Sequence, residues 1–283
     1  MTKGPDADWP EPFTRRPAGV ALVTDFDGTL SPIVADPAAA RPLPEALEVL
    51  YALTERLGVV GVVSGRPVSF LADRLGVGRR GVHRSSGQGA ASRGLRLAGL
   101  YGLEQVGGDG VVRSSAEAER WRRVLDQLAE EARVEGPRGV FVEHKGLAVT
   151  LHWRQAGREG PRWATGFLEA RVRPAGLVAM GGRKSVELLP PAVGDKGTVV
   201  RAWATGCRAV AYLGDDRGDL PAFRALDELS RSGTAVRKVA VAGPDVPEEL
   251  TRAADIVVRG PDGALALLSG LRDQLTAFGS ANP

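Results

Sequence analysis

The stretch Val20-Ala-Leu-Val-Thr-Asp25-Phe-Asp27-Gly28-Thr-Leu30 decides the fold of this 283-residue chain. A short apolar run, typical of a buried strand, leads directly into two carboxylates spaced i, i+2 and then into Gly and Thr. In open α/β sheets, ligands bind at the carboxyl ends of the strands, where both carboxylates would lie. Asp and Gly are also common in ordinary turns, so the rest of the chain must distinguish a turn from a catalytic site.

The composition is that of a globular protein. The chain is 43% hydrophobic and 25% charged, with a formal net charge of +3, and is long enough for two modest domains or one large one. The basic residues are scattered with few aromatic residues among them, which argues against a nucleic-acid groove. The most basic stretch, Arg79 to Arg96, is rich in Gly and Ser, and we interpret it as a mobile loop with solvated charge.

The sequence gives no sign of disulfides or of membrane insertion. Cys207 is the one cysteine, which excludes an internal disulfide and a multi-cysteine metal site. No apolar stretch approaches the length of a bilayer span, and residues 1–17 lack the apolar core of a signal peptide. We therefore predict a cytoplasmic protein without a membrane partner, with a disordered tail over residues 1–18. We also predict a monomer that has no nucleic-acid partner.

Strand and helix patterns alternate near both ends of the chain. Apolar strands at 20–24 and 59–63 alternate with helices at 44–57 and 68–75, which predicts parallel strands with right-handed crossovers. The alternation returns later with a helix at 196–205, strands at 209–213, 238–242 and 256–258, and a helix at 262–277. The sequence thus predicts an α/β fold with a doubly wound parallel sheet.

The middle of the chain has an α+β pattern instead. Helices at 115–133 and 161–172 each precede a β-hairpin, at 140–154 and 177–189. Alternation in the first hairpin puts one apolar set and one polar set on opposite faces: Leu147, Val149, Leu151 and Trp153 against Thr150, His152 and Arg154. We predict a core over 19–106 and 193–283 with an inserted α+β domain over 107–192.

Polar side chains gather at the ends of the predicted core elements. These are Asp25 and Asp27, Ser64, Lys196, and then Asp215, Asp216 and Asp219. Parallel strands share a direction, so their carboxyl ends converge on one edge of the sheet. A carboxylate that attacks phosphorus, with a hydroxyl and an ammonium that hold phosphate oxygens, suits phosphoryl transfer. All-oxygen ligands favour Mg²⁺ over zinc as the metal.

These segments resemble, in order and spacing, the four motifs of the haloacid dehalogenase (HAD) superfamily. The resemblance implies a HAD-like Rossmannoid core in which Asp25 is the nucleophile and forms an aspartyl phosphate. It also implies that Asp27 is the general acid and base, and that Ser64 and Lys196 hold the phosphate.

The same resemblance implies a metal site. Mg²⁺ would be bound by Asp25, Asp215 and the backbone carbonyl of Asp27. Asp216 and Asp219 would support the metal or the lysine from behind.

The inserted domain narrows the resemblance. Ser64-Gly-Arg66, Tyr101-Gly-Leu-Glu104, Glu143-His-Lys145, His152-Trp-Arg154 and Glu187-Leu-Leu-Pro190 are similar to motifs of the trehalose-6-phosphate phosphatase family. The resemblance implies a cap that closes on a disaccharide, with trehalose 6-phosphate as the small-molecule substrate. The residues that match the substrate motifs are Arg66, Glu104, Glu143, Lys145, His152, Arg154 and Glu187. The chain departs from the family pattern at Arg217-Gly-Asp219-Leu220, where Thr and Glu are usual, and at Tyr101, where His is frequent.

Three alternatives remain open at this point. The hairpin side chains could be exposed cross-strand pairs on a solvated face. The substrate could be another sugar phosphate, such as sucrose phosphate or a glycosyl phosphoglycerate, because the core motifs do not discriminate among sugars. A non-catalytic sugar-phosphate-binding regulator is a third possibility, but such proteins typically lose a nucleophile or metal ligand, and Asp25, Asp27, Lys196 and Asp215 are all present.

Overall fold

The protein divides into two compact units, seen here in a computed structural model. Unit 1 comprises Met1–Val112 and Gly194–Pro283, and unit 2 comprises Arg113–Val193. The structure describes residues 9–34, 36–78, 94–107, 109–182, 184–191, 194–244 and 246–280. Most of the loop predicted between Arg79 and Arg96 lies outside these described residues.

The elements alternate in type in unit 1 and are mixed in unit 2. The strands are Val20–Thr24 (β1), Val59–Val63 (β2), Arg96–Gly99 (β3), Glu104–Val106 (β4), Val112–Ser114 (β5), Phe141–His144 (β6), Val149–His152 (β7), Val178–Gly182 (β8), Ser185–Leu189 (β9), Ala209–Gly214 (β10), Ala235–Ala242 (β11) and Ile256–Arg259 (β12). The α-helices are Glu11–Thr14 (α1), Ala46–Thr54 (α2), Val68–Leu75 (α3), Ala116–Glu119 (α4), Arg122–Glu135 (α5), Glu159–Phe167 (α6), Lys196–Trp203 (α7), Leu220–Arg231 (α8), Glu248–Ala253 (α9) and Gly260–Ser280 (α10). Leu168–Val172 extends α6 as a π-helix, and 3₁₀ turns cover Pro17–Gly19, Pro37–Ala39, Leu100–Gly102 and Arg217–Asp219.

The large sheet confirms the predicted doubly wound α/β fold. Within the described residues its order is β12-β11-β10-β1-β2-β3-β4-β5. The pairs from β12 to β3 are parallel, and β4 runs antiparallel to β3. The chain winds from β1 outward to β2 in one direction, and from β10 outward to β11 in the other. The carboxyl ends of β1 and β10 therefore flank the switch point, where sheets of this kind bind ligands.

Helices cover both faces of this sheet, which is why its central strands are buried throughout and mostly apolar. Every residue of β1, β2 and β10 is buried. On one face Leu22 belongs to a core with Leu50 of α2 and Leu71 of α3. On the other face Val23 belongs to a core with Phe223 of α8. The two cores fix the orientation of β1 and so of the carboxylates that follow it.

Unit 2 is a small antiparallel sheet with one apolar face and one polar face. Its strand order is β6-β7-β9-β8. The apolar face packs on the helices, with Val149 and Leu151 in one core with Leu125 and Leu128 of α5. The register pairs Glu143 with Thr150, Thr150 with Glu187, and Phe141 with His152. Side chains opposite each other share a face, so these five residues belong to the polar side.

Two predictions about secondary structure are wrong. The predicted disordered tail fails from Trp9 onward, because Trp9 is only 4% exposed and Phe13 only 1% exposed. The indole Nε1 of Trp9 donates to the carbonyl of Leu267 at 3.0 Å, which ties this segment to α10. The single helix predicted at 115–133 is two helices, α4 and α5, separated by a turn at Arg120 and Trp121.

The structure also contains elements that the sequence analysis did not predict, namely α8, α9 and the strands β3 to β5. Among the described residues, no helix combines the length and the apolar character needed to cross a membrane.

Candidate active site

Asp25 is the buried carboxylate at the centre of unit 1. It directly follows β1, is 4% exposed, and its backbone N–H donates to the Leu213 carbonyl of β10 at 2.9 Å. Lys196, the first residue of α7, places its Nζ 2.9 Å from Asp25 Oδ1 and is also 4% exposed. The start of α7 is fixed because the Asp195 side chain accepts from the backbone N–H of Thr198. A carboxylate and an ammonium thus meet in a nearly dry site.

Burial and neighbouring charges shift the pKa values of both Asp25 and Lys196. Burial raises the pKa of Asp25 well above its ordinary value, and the carboxylates of Asp219 and Asp215 add to this, although the Lys196 ammonium opposes it. Burial alone would lower the pKa of Lys196, but Asp219 and Asp25 outweigh that effect and raise the pKa well above its ordinary value. Lys196 therefore stays cationic, and the acidic cluster has more negative charge than one ammonium neutralises.

Both carboxylate oxygens of Asp219 are occupied by hydrogen bonds to other groups. Its Oδ1 accepts from Lys196 Nζ at 2.7 Å and from the Tyr212 hydroxyl at 2.6 Å. Its Oδ2 accepts from the backbone N–H groups of Asp215 and Asp216 at 2.8 and 2.9 Å. A carboxylate offers about four lone-pair sites, so Asp219 has none left for a further ligand. It acts as the support for Lys196 and for the turn after β10, which Gly214 permits because a Cβ there would lie 2.2 Å from Asp219 Cγ.

The Asp215 carboxylate, unlike that of Asp219, is not saturated with hydrogen bonds. Its Oδ1 is buried without a hydrogen-bond partner. Burial, followed by the charges of Asp219 and Asp216, raises the pKa of Asp215 to about 7. Gly28 has a φ of +78°, and a Cβ on it would lie 2.0 Å from Asp215 Oδ2, so only glycine allows the two to approach.

This geometry fits a metal ion. Ligand oxygens of Asp25, Asp215 and Asp219 lie within 4.8 Å of one another. Because Asp219 is saturated, Asp25 and Asp215 are the two carboxylates free to bind a cation. The orphaned Oδ1 of Asp215 and the uncompensated negative charge both favour a divalent ion with hard oxygen ligands.

Asp27, the second carboxylate of the opening motif, is held by Arg66. Arg66 Nε and Nη2 donate to Asp27 Oδ2 and Oδ1 at 2.8 and 2.9 Å, a bidentate ion pair. The guanidinium also lies over the Phe70 ring, 4.7 Å from its centroid. Arg66, predicted from the family motif to contact the sugar, here positions Asp27.

The side chains of Ser64, Glu104 and Asp216 each accept a hydrogen bond from a backbone N–H group. Ser64 follows β2, is 3% exposed, and its Oγ accepts from the backbone N–H of Arg66 at 3.1 Å. Glu104 accepts from the backbone N–H of Val68 at 2.9 Å and so caps the start of α3. The Asp216 carboxylate accepts from the Gly218 N–H at 2.8 Å and caps the 3₁₀ turn, and the Asp216 backbone N–H donates to Asp219.

On the polar face of unit 2, a network joins four predicted residues. Lys145 Nζ lies 2.8 Å from Glu187 Oε1 and 3.7 Å from Glu143 Oε2. His152 Nε2 is 3.0 Å from Glu143 Oε2. Arg154 lies in the turn after β7 and is exposed.

Two functional candidates were missed at the sequence level. The hydroxyl of Tyr212 bonds Asp219 from within β10, and the hydroxyl of Thr150 donates to Glu187 Oε1 at 3.2 Å. Strand alternation was the available signal for Thr150, since it already placed Thr150 on the face of His152. Tyr212 looked like another apolar strand residue.

The sheet topology and the acidic site at its switch point define the class of fold. The fold is that of the HAD superfamily. A HAD phosphatase from Bacteroides thetaiotaomicron has a similar structure, with a TM-score of 0.51 and 18% identity over 92% of this chain and 94% of that chain.

The chain belongs to the trehalose-phosphatase family, whose model matches residues 23–255. It is 36% identical over 219 residues to a trehalose-phosphate phosphatase of Mycolicibacterium paratuberculosis. This alignment covers 73% of this chain and 51% of that protein. It thus spans about half the length of the curated relatives it matches. The structure of a trehalose-6-phosphate phosphatase related protein is similar, with a TM-score of 0.71 and 22% identity over 93% of this chain and all of that one.

Proposed function

We propose that this protein is a Mg²⁺-dependent phosphatase that hydrolyses trehalose 6-phosphate to trehalose and phosphate. The observation that carries the proposal is the buried Asp25 carboxylate, held 2.9 Å from Lys196 and beside the unpartnered Oδ1 of Asp215. Asp25 would be the nucleophile, Lys196 the cation that holds the phosphate, and Asp215 a metal ligand, and the three lie close together where β1 and β10 end and α7 begins. Membership of the trehalose-phosphatase family supports the choice of sugar.

The reaction would have two steps. An oxygen of Asp25 attacks phosphorus and the bond from phosphorus to the sugar oxygen breaks, while Asp27 gives that oxygen a proton. Asp27 then takes a proton from the water that attacks phosphorus, and phosphate leaves as the Asp25 carboxylate is restored. For the first step one oxygen of Asp27 must carry a proton, and the contact of the other oxygen with Arg66 would keep the carboxyl group oriented.

The groups around Asp25 would balance the negative charge of the phosphate and the carboxylates. Lys196 is fixed between Asp25 and Asp219 and would hold a phosphate oxygen as a permanent cation. Ser64 would donate its hydroxyl to another phosphate oxygen. Bound Mg²⁺, held by Asp25, Asp215 and the Asp27 carbonyl, would supply the remaining positive charge against the carboxylates and the phosphate.

The sugar would be recognised by the network of unit 2. Glu143, Lys145, His152 and Glu187 offer both acceptors and donors on one sheet face. A disaccharide presents many hydroxyls that can replace these contacts one for one, which lowers the cost of removing them from water. The predictions of a cytoplasmic location and of a monomer stay predictions.

Phosphate release from a panel of sugar phosphates, with Mg²⁺ and with a chelator, tests the proposal. We expect trehalose 6-phosphate to be preferred over sucrose phosphate and glycosyl phosphoglycerate, and chelation to abolish turnover. Asp25→Asn should lower kcat by about a thousandfold or more with the fold intact. The isosteric control is Asp195→Asn, which keeps a side chain that caps α7 and keeps the nucleophile.

The outcomes separate the alternatives. A clear preference for another sugar phosphate contradicts the choice of trehalose and leaves the chemistry standing. Ordinary turnover by Asp25→Asn, once conversion of Asn back to Asp is excluded by mass spectrometry, contradicts the assigned nucleophile. Binding of trehalose 6-phosphate without any phosphate release in Mg²⁺ would favour the regulatory alternative.

A further inference from the structure

Phe141 is an exposed aromatic ring in a polar setting. It opens β6, and the residue is 64% exposed. In the register it is paired with His152, and the two ring centroids are 5.8 Å apart with an interplanar angle of 33°. Glu143 lies two residues further along β6, so Phe141 and Glu143 point to the same polar face.

The immediate neighbours of Phe141 are hydrogen-bonding groups that are only partly exposed. Its cross-strand partner His152 is 33% exposed at the side chain and contacts Glu143, which is 34% exposed. Lys145 and Glu187, the other members of the network, are 13% and 11% exposed. Single exposed apolar side chains are normal on protein surfaces. Phe141 differs because it borders a concentrated set of carboxylates, an ammonium and an imidazole.

This combination matches the chemistry of a pyranose ring. Such a ring carries hydroxyls around its rim and C–H groups on its faces, so it needs polar partners at its edge and an apolar partner against a face. We propose that Phe141 is the platform against which one pyranose ring of the substrate packs, with its hydroxyls directed to Glu143 and His152. Phe141 thereby selects cyclic sugar phosphates over acyclic ones.

This inference rests on the proposed function, since it places the sugar on the polar face of unit 2. It goes beyond it by naming a residue that makes no hydrogen bond to the sugar. An aromatic ring that is covered by substrate loses its contact with water on binding, and this favours the bound state. The contribution belongs to binding rather than to bond breaking, so it should appear in KM and leave kcat nearly unchanged.

The test compares the wild-type chain with Phe141→Ala, Phe141→Trp and a control. The control is Val134→Ala, because Val134 is 78% exposed on α5 and does not belong to the polar face. Phosphate release is measured with trehalose 6-phosphate and with glycerol phosphate, which has hydroxyls and no ring. We expect Phe141→Ala to raise KM for trehalose 6-phosphate about tenfold, with kcat within about twofold, and Phe141→Trp to stay near the wild type. KM for glycerol phosphate and the properties of Val134→Ala should not change.

The results distinguish failure of this inference from failure of the proposed function. If the wild type hydrolyses trehalose 6-phosphate and Phe141→Ala has an unchanged KM, the platform is wrong and the proposed function stands. An equal rise in KM for glycerol phosphate also overturns the platform, because that effect does not depend on a ring. If the wild type prefers another pyranose phosphate and Phe141→Ala raises its KM, the platform stands and trehalose is the wrong sugar. Melting temperatures show whether each variant folds.

Discussion

Asp215 and Asp219 are separated by four positions and have opposite surroundings. Asp219 accepts four hydrogen bonds, whereas Asp215 keeps a buried oxygen without a partner. One carboxylate supports the fold, and the other is buried with an oxygen that a bound cation would satisfy. The same substitution at the two positions should therefore have opposite effects on stability.

We predict that Asp219→Asn lowers the free energy of unfolding by about 3 kcal/mol, because it removes a buried partner of Lys196. It should still gain thermal stability when Mg²⁺ is added. Asp215→Asn should leave the metal-free protein as stable as the wild type or more so, and should lose the Mg²⁺-induced gain. Chemical denaturation measures the stability of each metal-free variant, and melting temperatures in a Mg²⁺ titration measure the Mg²⁺-induced gain. A Mg²⁺ response that survives in Asp215→Asn and disappears in Asp219→Asn would reverse the assignment of ligand and support.

Arg66 and Arg74 form a second contrasting pair. Both guanidinium groups lie over the Phe70 ring, at 4.7 and 4.9 Å from its centroid. Arg66 binds both oxygens of Asp27, whereas Arg74 donates to the carbonyls of Ala40 and Ala38. Only Arg66 can therefore set the position of the proposed proton donor.

We predict that Arg66→Met lowers kcat for trehalose 6-phosphate about tenfold or more, since Asp27 loses its fixed orientation. The fall should be smaller with p-nitrophenyl phosphate, whose leaving group departs without a proton. Arg66→Lys should retain little of the wild-type kcat, because an ammonium cannot make the bidentate contact with Asp27. Arg74→Met is the control and should change stability while kcat stays near the wild type. Equal losses on the two substrates would show that Arg66 does not act through Asp27.

At the scale of elements, the sequence predicts what depends on local pattern and misses what depends on partners far along the chain. The run before Asp25 is apolar from Val20 to Val23 because β1 is covered on both faces, and this signal is local. The convergence of Asp25 and Asp215 followed from the rule for the carboxyl ends of parallel strands, whereas Lys196 opens α7 and was assigned to the site by the resemblance.

The missed features have a common physical reason. The Pro-rich segment around α1 reads as a tail, and only docking on α10 explains why Trp9 and Phe13 are buried. The ion pair of Asp27 with Arg66 joins residues 39 positions apart and depends on side-chain conformation. Alternation along β7 placed His152 on the polar face, but the pairing of β7 with β9 that brings Glu187 to Lys145 could not be read from either hairpin alone.

At the scale of the whole molecule, the uncompensated acidic site should make stability depend on pH. The pKa of Asp215 is about 7 in the folded protein and 3.8 in its ordinary state, mainly because of burial. A carboxyl group whose pKa is raised by folding binds its proton more tightly when folded. Its stabilising contribution is therefore fully present below the lower value and is lost as the pH rises through the higher one. Asp25, whose pKa is also raised, acts in the same direction.

We predict that the metal-free protein becomes less stable as the pH rises between these two values, by at most about 1.4 kcal/mol per pH unit for Asp215. Lys196 does not oppose this trend, because its raised pKa keeps it protonated throughout the range. Denaturation of the chelated protein at about pH 5 and about pH 8 measures the difference. Mg²⁺ should stabilise the protein more at the higher pH, since it must displace the proton from Asp215 at the lower one.

Asp215→Asn provides the matched control for this pH dependence. The variant keeps the size of the side chain and removes its titration, so its stability should vary less between the two pH values than that of the wild type. Its stability should also respond little to Mg²⁺ at either pH. If the wild type and Asp215→Asn lose stability in parallel as the pH rises, the pH dependence arises elsewhere. The strained charge balance at the end of β1 and β10 would then not be the property that couples metal binding to the stability of the fold.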